Sequence, residues 1–312
     1  MEYSVWHFIL GAFVALIVLG LFNPVLLGTW IYNLNIAIES RIYGFKRHEL
    51  AVAEYRLSLY HNGIKDRPTI VMLHGFTADA IVWLRFAQYF NKQYNVIIPD
   101  LLGHGETGFK DEWSYRTPEQ AKCIKSLLDN LNITKAHIIG NSMGGFISAQ
   151  FALRYPDHCI SATLVDPAGI KSVKSSDMEL LLEQGINPFL IFNRGKFSEF
   201  YAMTMHKPPW VPKIVLNVVA SKYLTHKDEF ERIFNDFIFN DLLDDELENI
   251  TVPTLILWGD QDRLIHVANA DKWQQGIQNS ELKIWPGIGH MPMLEVPKQS
   301  AQVYQDFLNK LP

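Results

Sequence analysis

Cysteine is nearly absent from this chain. Only Cys123 and Cys159 occur in 312 residues, too few for a disulfide framework and without metal-ligand spacing, so both read as reduced thiols. A basic surface is missing as well: 28 Lys and Arg stand against 33 Asp and Glu, a net charge of -5. A nucleic-acid partner would need clustered cations to neutralise phosphates, and that class is excluded. No repeat or low-complexity tract interrupts the chain, and a composition 48% apolar and 20% charged excludes extensive disorder.

Charge is also missing locally. No Asp, Glu, Lys or Arg occurs in residues 3–38, a window that contains the apolar run 5–22. That run is close to the ~20 residues an α-helix needs to cross a bilayer core. Trp6 near one end and Trp30 with Tyr32 beyond the other suit interfacial positions. A cleaved signal peptide would require a basic start and a small-residue cleavage site, but the chain reads Met1-Glu2-Tyr3-Ser4 and continues past Phe22 with bulky residues. A buried core helix is the other rival, and the length of the run argues against it. We therefore expect an N-terminal transmembrane helix. Arg41, Lys46 and Arg47 follow the span and Glu2 precedes it, which places the large domain on the cytoplasmic side, at the inner membrane if the source is bacterial.

Beyond the anchor and connector (1–40), partial alternation over residues 50–60 predicts antiparallel strands opening a sheet. Short apolar runs at 69–73, 94–98, 136–139, 160–165, 253–258 and 282–285 then have the character of strands buried on both faces. Helix-like stretches at 78–90, 118–131, 148–154, 268–277 and 297–311 lie between or after them. This alternation predicts an α/β class with a mostly parallel central sheet and flanking helices. One interval, 167–250, has helix-like segments and the run Lys207-Pro208-Pro209-Trp210-Val211-Pro212 but no buried strand. We expect it to be an inserted helical cap dividing the core into 41–166 and 251–312.

The segment Gly140-Asn141-Ser142-Met143-Gly144-Gly145 follows one of these strands and precedes a helix-like stretch. That context makes it a nucleophile elbow, where a tight turn with small neighbours lifts the Ser142 hydroxyl above the sheet at a helix N-terminus. Serine needs a base, and the base needs an orienting carboxylate. His290, flanked by Gly289 after the last strand, is the expected base, free to swing over Ser142. Asp262 is the expected acid, with Asp260 read as a turn cap and Asp166, at an earlier strand end, as the reserve candidate. Backbone N–H groups of Phe76 and Met143 would form the oxyanion hole. His74, Asp100 and His104 are expected to brace loops rather than react. The chemistry so drawn requires neither a metal nor an organic cofactor.

These residues resemble the α/β-hydrolase superfamily over roughly residues 50–311. The matching motifs are His74-Gly75-Phe76, Asp100 through Gly105, Gly140 through Gly145, Gly259 through Asp262, and Gly289-His290. The Gly-Asn-Ser-Met-Gly-Gly form and the Lys207-Pro208-Pro209 segment are most similar to small bacterial lipases related to monoacylglycerol lipases, some of which carry an N-terminal anchor. The resemblance implies hydrolysis of an acyl ester, with a lipid substrate. Carbon-carbon bond hydrolases of aromatic ring-cleavage products share the first motif and form the alternative; a non-catalytic, membrane-tethered binding module is a second. A serine at position 142 argues against relatives that use an aspartate nucleophile. The cap is rich in Phe (Phe189, Phe192, Phe197, Phe200, Phe230, Phe234, Phe237, Phe239), which serves either as its own core or as the lining of an acyl channel.

Overall fold

The computed structural model describes residues 23–311 together with His7, Gly11 and Gly20. The expected membrane span, residues 5–22, lies outside the described residues apart from His7, Gly11 and Gly20. Among the described residues no helix is long and apolar enough to cross a membrane.

Eight strands form one sheet: β1 (Lys46–Val52), β2 (Tyr55–His61), β3 (Thr69–Leu73), β4 (Asn95–Pro99), β5 (Ala136–Asn141), β6 (Cys159–Val165), β7 (Thr254–Gly259) and β8 (Ser280–Trp285). Their order is β1-β2-β4-β3-β5-β6-β7-β8. The β1-β2 and β2-β4 pairs are antiparallel, as the alternation over 50–60 predicts, and every later pair is parallel. The central strands are buried on both faces because helices cover both. Val71, Leu73, Ile138, Leu164 and Ile256 enter one core, and Ile70, Met72, Ile139, Val165 and Leu257 enter the other. Each such side chain contributes roughly 1.5–3 kcal/mol by leaving water. The expectation of two-sided burial fails at β8. It is the sheet edge, and Glu281, Lys283 and Ile284 remain exposed.

The helices are α1 (Pro24–Ile42), α2 (Leu84–Ala87), α3 (Thr117–Asn130), α4 (Met143–Arg154), α5 (Asp177–Glu183), α6 (Arg194–Thr204), α7 (Lys213–Thr225), α8 (Lys227–Phe237), α9 (Asn269–Gly276), α10 (Pro292–Glu295) and α11 (Pro297–Leu308). Helix α4 begins five residues earlier than the apolar pattern predicts, at Met143 directly after the elbow. Gly144 and Gly145 are poor helix formers, so the first turn is hidden from a propensity reading. In place of one helix over 78–90 the chain forms a 3₁₀ turn, Ala80–Trp83, and the single turn α2. Helices α5 to α8 lie between β6 and β7 and make up the strand-free insertion.

Helix α1 differs from the connector expected up to residue 40. Asn23 caps it through Leu26 N–H at 3.0 Å, Pro24 starts it, and it packs against α7. Tyr32, assigned from sequence to a membrane interface, is instead buried: Lys222 of α7 lies over its ring at 4.6 Å and donates to its hydroxyl at 3.3 Å. Glu39 anchors the other end through Arg85 at 2.7 Å. The chain leading from the apolar N-terminus is thus fastened to both cap and core.

Candidate active site

The C-terminal ends of the parallel strands converge on Ser142. Its backbone, at φ 57° and ψ -117°, occupies a region that costs a non-glycine residue about 1–3 kcal/mol. The surroundings impose it: Ser142 N–H donates to Val165 O at 2.9 Å, and Ser142 O accepts from Phe146 and Ala168 at 3.0 and 3.2 Å. The turn works only because Gly144 has no side chain. A Cβ there would sit 2.3 Å from Leu73 O and 2.5 Å from His74 O. Gly75 is held by the same crowding, since its Cβ would lie 3.2 Å from Ser142 Cβ. The loop after β3 therefore runs directly beside the elbow, bringing Phe76 and Met143 to one place. Among the described residues, neither the Phe76 N–H nor the Met143 N–H has an acceptor, and Met143, as the first residue of α4, has no carbonyl one turn back to bind.

Asp262 and His290 meet on the far side of the elbow. Asp262 Oδ2 accepts from His290 Nδ1 at 2.6 Å, and its Oδ1 accepts from Leu264 and Ile265 N–H at 2.8 and 3.0 Å. Both side chains are buried. The bond at Nδ1 leaves Nε2 as the nitrogen turned to other partners, which fixes the tautomer available to a base. His290 is not the freely swinging residue its glycine neighbour suggests. Its N–H donates to Thr204 O at 3.1 Å, and its carbonyl accepts from Asn141 Nδ2 at 2.9 Å, so both cap and elbow hold it. Ser142 Oγ and His290 Nε2 make no mutual hydrogen bond; in enzymes of this kind that bond often tightens only once substrate is bound.

Asp260 spans a longer distance in the fold than a turn cap does: Oδ1 accepts from Gly287 N–H at 2.7 Å and so pins the His290 loop. Asp166, the reserve acid, contacts Gly259 N–H at 2.9 Å through Oδ1 and makes no hydrogen bond to His290. His74 Nε2 accepts from Leu101 N–H at 3.0 Å, and burial lowers its pKa to about 4, so it is a neutral brace. His104 is likewise neutral, its pKa lowered to about 3 by burial. Asp100 holds the N–H groups of Ala80 and Glu106 at 2.8 and 3.0 Å. Its pKa is raised to about 6, burial outweighing Arg47 at 3.4 Å.

Two supporting residues gave no signal in the sequence. Glu295 accepts from Gly289 N–H at 2.9 Å and from Lys207 N–H at 2.6 Å, joining the His290 loop to the cap. Asn141, the variable position of the elbow motif, ties β5 to His290 and to Val165 O, the latter at 3.2 Å. Asn141 acts through backbone partners distant in sequence, and Glu295 joins the nearby Gly289 to the distant Lys207.

Above the elbow the cap supplies rings. Phe76 is buried against Phe189, Phe230, Phe234 and Phe237, with centroids 5.1, 5.7, 5.7 and 5.2 Å away. Phe197 and Phe200 continue the cluster through Tyr223. Tyr223 OH accepts from Thr77 Oγ1 at 2.9 Å, one residue past Phe76. Phe192 and Phe239 are exposed and stand outside it.

Residues 68–202 match a family model described as the alpha/beta hydrolase fold. Lipase 3 of Moraxella sp. (strain TA144) is 32% identical over 78% of this chain and 78% of its own length. Monoacylglycerol lipase ABHD6 of Homo sapiens is 28% identical over 78% of this chain and 75% of its own. The crystal structure of a membrane phospholipase A, a bacterial virulence factor, covers 99% of both chains with a TM-score of 0.88 and 28% identity. The chain belongs to the α/β-hydrolase family and is an ester-hydrolysing member of it.

Proposed function

We propose that this protein is a membrane-anchored serine hydrolase that cleaves acyl esters of lipids, monoacylglycerols foremost, through an acyl-enzyme on Ser142. The observation that carries the chemistry is the buried 2.6 Å contact between Asp262 and His290 beside the strained Ser142 elbow. In the first step His290 Nε2 takes the Ser142 proton while Oγ attacks the ester carbonyl. The oxyanion accepts from Phe76 and Met143 N–H, and collapse expels the alcohol, which receives the proton from His290. In the second, water repeats the sequence on the acyl carbonyl and frees the acid. Asp262 keeps Nδ1 protonated and stabilises the imidazolium throughout.

The lipid part of the reading rests on the cap. The aromatic cluster lies directly on Phe76, where the acyl group must sit if Phe76 N–H binds the oxyanion, and its rings suit a hydrocarbon chain. The names of the lipase and phospholipase relatives point the same way. The anchor of residues 5–22, with the catalytic domain on the cytoplasmic side, would keep Ser142 and the cap near the bilayer.

A chain-length series of monoacyl and triacyl glycerols with detergent-solubilised protein tests the substrate. Activity confined to short, water-soluble esters would remove the lipid assignment. Labelling by a fluorophosphonate probe tests the nucleophile, and an unlabelled Ser142 would end the mechanism. Release of the full chain from membranes by an alkaline wash would refute the anchor.

A further inference from the structure

Asp166 is a buried carboxyl to which the mechanism above gives no task. It follows β6 at φ 46°, in the left-handed region that aspartate tolerates, and is completely buried. Its N–H donates to Leu257 O at 2.8 Å and its Oδ1 accepts from Gly259 N–H at 2.9 Å, so it bridges the ends of β6 and β7. Oδ2 has no hydrogen-bond partner among the described residues.

Asp262 and His290 stand next to it: one oxygen from each aspartate and one ring nitrogen lie within 4.8 Å of one another. Because His290 Nδ1 is already paired with Asp262 Oδ2, the group forms a set of two carboxyls and one imidazole linked through protons. Two carboxyls so close, in a site closed to water, do not both ionise. The number of donors decides which one keeps its proton. Asp262 receives three N–H groups, from Leu264, Ile265 and His290, whereas Asp166 receives only that of Gly259. Negative charge belongs on the carboxylate with more donors.

We infer that Asp166 is a neutral carboxylic acid and a positioning residue, offering its Oδ2–H to Asp262 so that the cluster's single negative charge stays on the oxygen facing His290. The inference rests on the reading of Asp262 and His290 as acid and base. The charged groups around Asp166 agree with it. Burial pushes its carboxyl well above the usual range, the Asp262 carboxylate and then Glu295 of α10 push further in the same direction, and the Gly259 N–H opposes them.

The amide of Asp166→Asn reproduces a neutral acid, its oxygen accepting from Gly259 and its NH₂ occupying the place of the O–H. We expect this variant to keep kcat within about threefold, with the acid-side midpoint of its kcat/KM profile unmoved. Asp166→Ala removes both contacts and should lower kcat by about 10- to 100-fold at nearly constant KM, as misplacement of a reacting group does. If Asp166 is instead ionised in the working enzyme, the Asn variant deletes a negative charge beside His290 and moves the acid midpoint down by about half a pH unit or more. That result, or full turnover in Asp166→Ala, overturns the inference. Infrared difference spectra of wild type against Asp166→Asn at neutral pH supply a readout independent of turnover. A protonated-carboxyl C=O band lost in the variant supports the neutral acid, and its absence from wild type refutes it. Fluorophosphonate labelling reports separately on Ser142, so failure of the mechanism and failure of this assignment are told apart.

Discussion

Around Ser142 and His290 the structure is held by directed hydrogen bonds, whereas above Phe76 it is held mainly by ring contacts, with the Thr77–Tyr223 hydrogen bond at their margin. His290 alone is fixed at Nδ1, at its N–H and at its carbonyl, by three different parts of the chain. Phe234 meets Phe76, Phe189 and Phe237 at centroid separations of 5.7, 5.8 and 5.9 Å. Hydrogen bonds lose their value steeply with angle and distance, but dispersion and burial do not. The strand ends are therefore suited to hold reacting atoms in one arrangement. The cap rings can shift against one another at smaller cost.

Replacing the residues of the lower region should abolish the chemistry while leaving the upper region intact. Ser142→Ala is expected to lower kcat on a short acyl ester by on the order of 10⁴-fold or more, with the folding midpoint near that of wild type. Asp262→Asn should cost about 10⁴-fold by stabilising the wrong tautomer of His290. Asp260→Asn, which disturbs the Gly287 and Gln261 contacts and none to His290, should cost far less. Equal losses in the two aspartate variants, measured by steady-state kinetics on the same ester, would erase the distinction between acid and loop brace.

The upper region should respond in the opposite way. Phe234→Ala removes a buried ring and should cost about 3–5 kcal/mol in stability, read by denaturant titration. Its kcat/KM for long acyl chains should fall by about 10- to 100-fold, while short esters lose little, because only the long chain reaches the vacated volume. A uniform loss across chain lengths would place Phe234 in the cap's own core alone.

The same contrast explains what was legible in the sequence. Ser142 stands in a motif whose neighbours are dictated by crowding within a few residues, so its context could be read directly. His290 and Asp262 follow strands at positions that chain order predicts, and the fold brings those two strand ends together. What escaped was set by distant backbone. Glu295 binds the Lys207 N–H of the cap and Asn141 the carbonyl of His290, and no local pattern records such a partner. The freedom expected of His290 was a local inference from Gly289 that its tertiary hydrogen bonds override. In α1, an uncharged stretch looked like a connector leaving a membrane, yet Tyr32 found a buried place against α7, for which periodicity offers no evidence. Within the cap the number of Phe residues was visible, but which of them surround Phe76 was not, since Phe192 and Phe239 have the same composition signal and are exposed.

The smallest effect is expected where the two regions meet through charge. Arg263, next to Asp262 in the chain, pairs with Asp177 of α5 at 2.5 Å, and both side chains are about half exposed (50% each). Water screens such a pair and ordering two long side chains opposes it, so a double-mutant cycle of Arg263→Ala and Asp177→Ala should give a coupling below ~1 kcal/mol, falling further in high salt. Turnover on short esters should hardly change, because Asp262 takes its geometry from Leu264, Ile265 and His290 rather than from its charged neighbour. A coupling well above ~1 kcal/mol, or a loss of kcat in Arg263→Ala alone, would mean that a charged latch helps to set the cap over the site. The contrast between a hydrogen-bonded lower region and an apolar upper one would then fail at the boundary where it is sharpest.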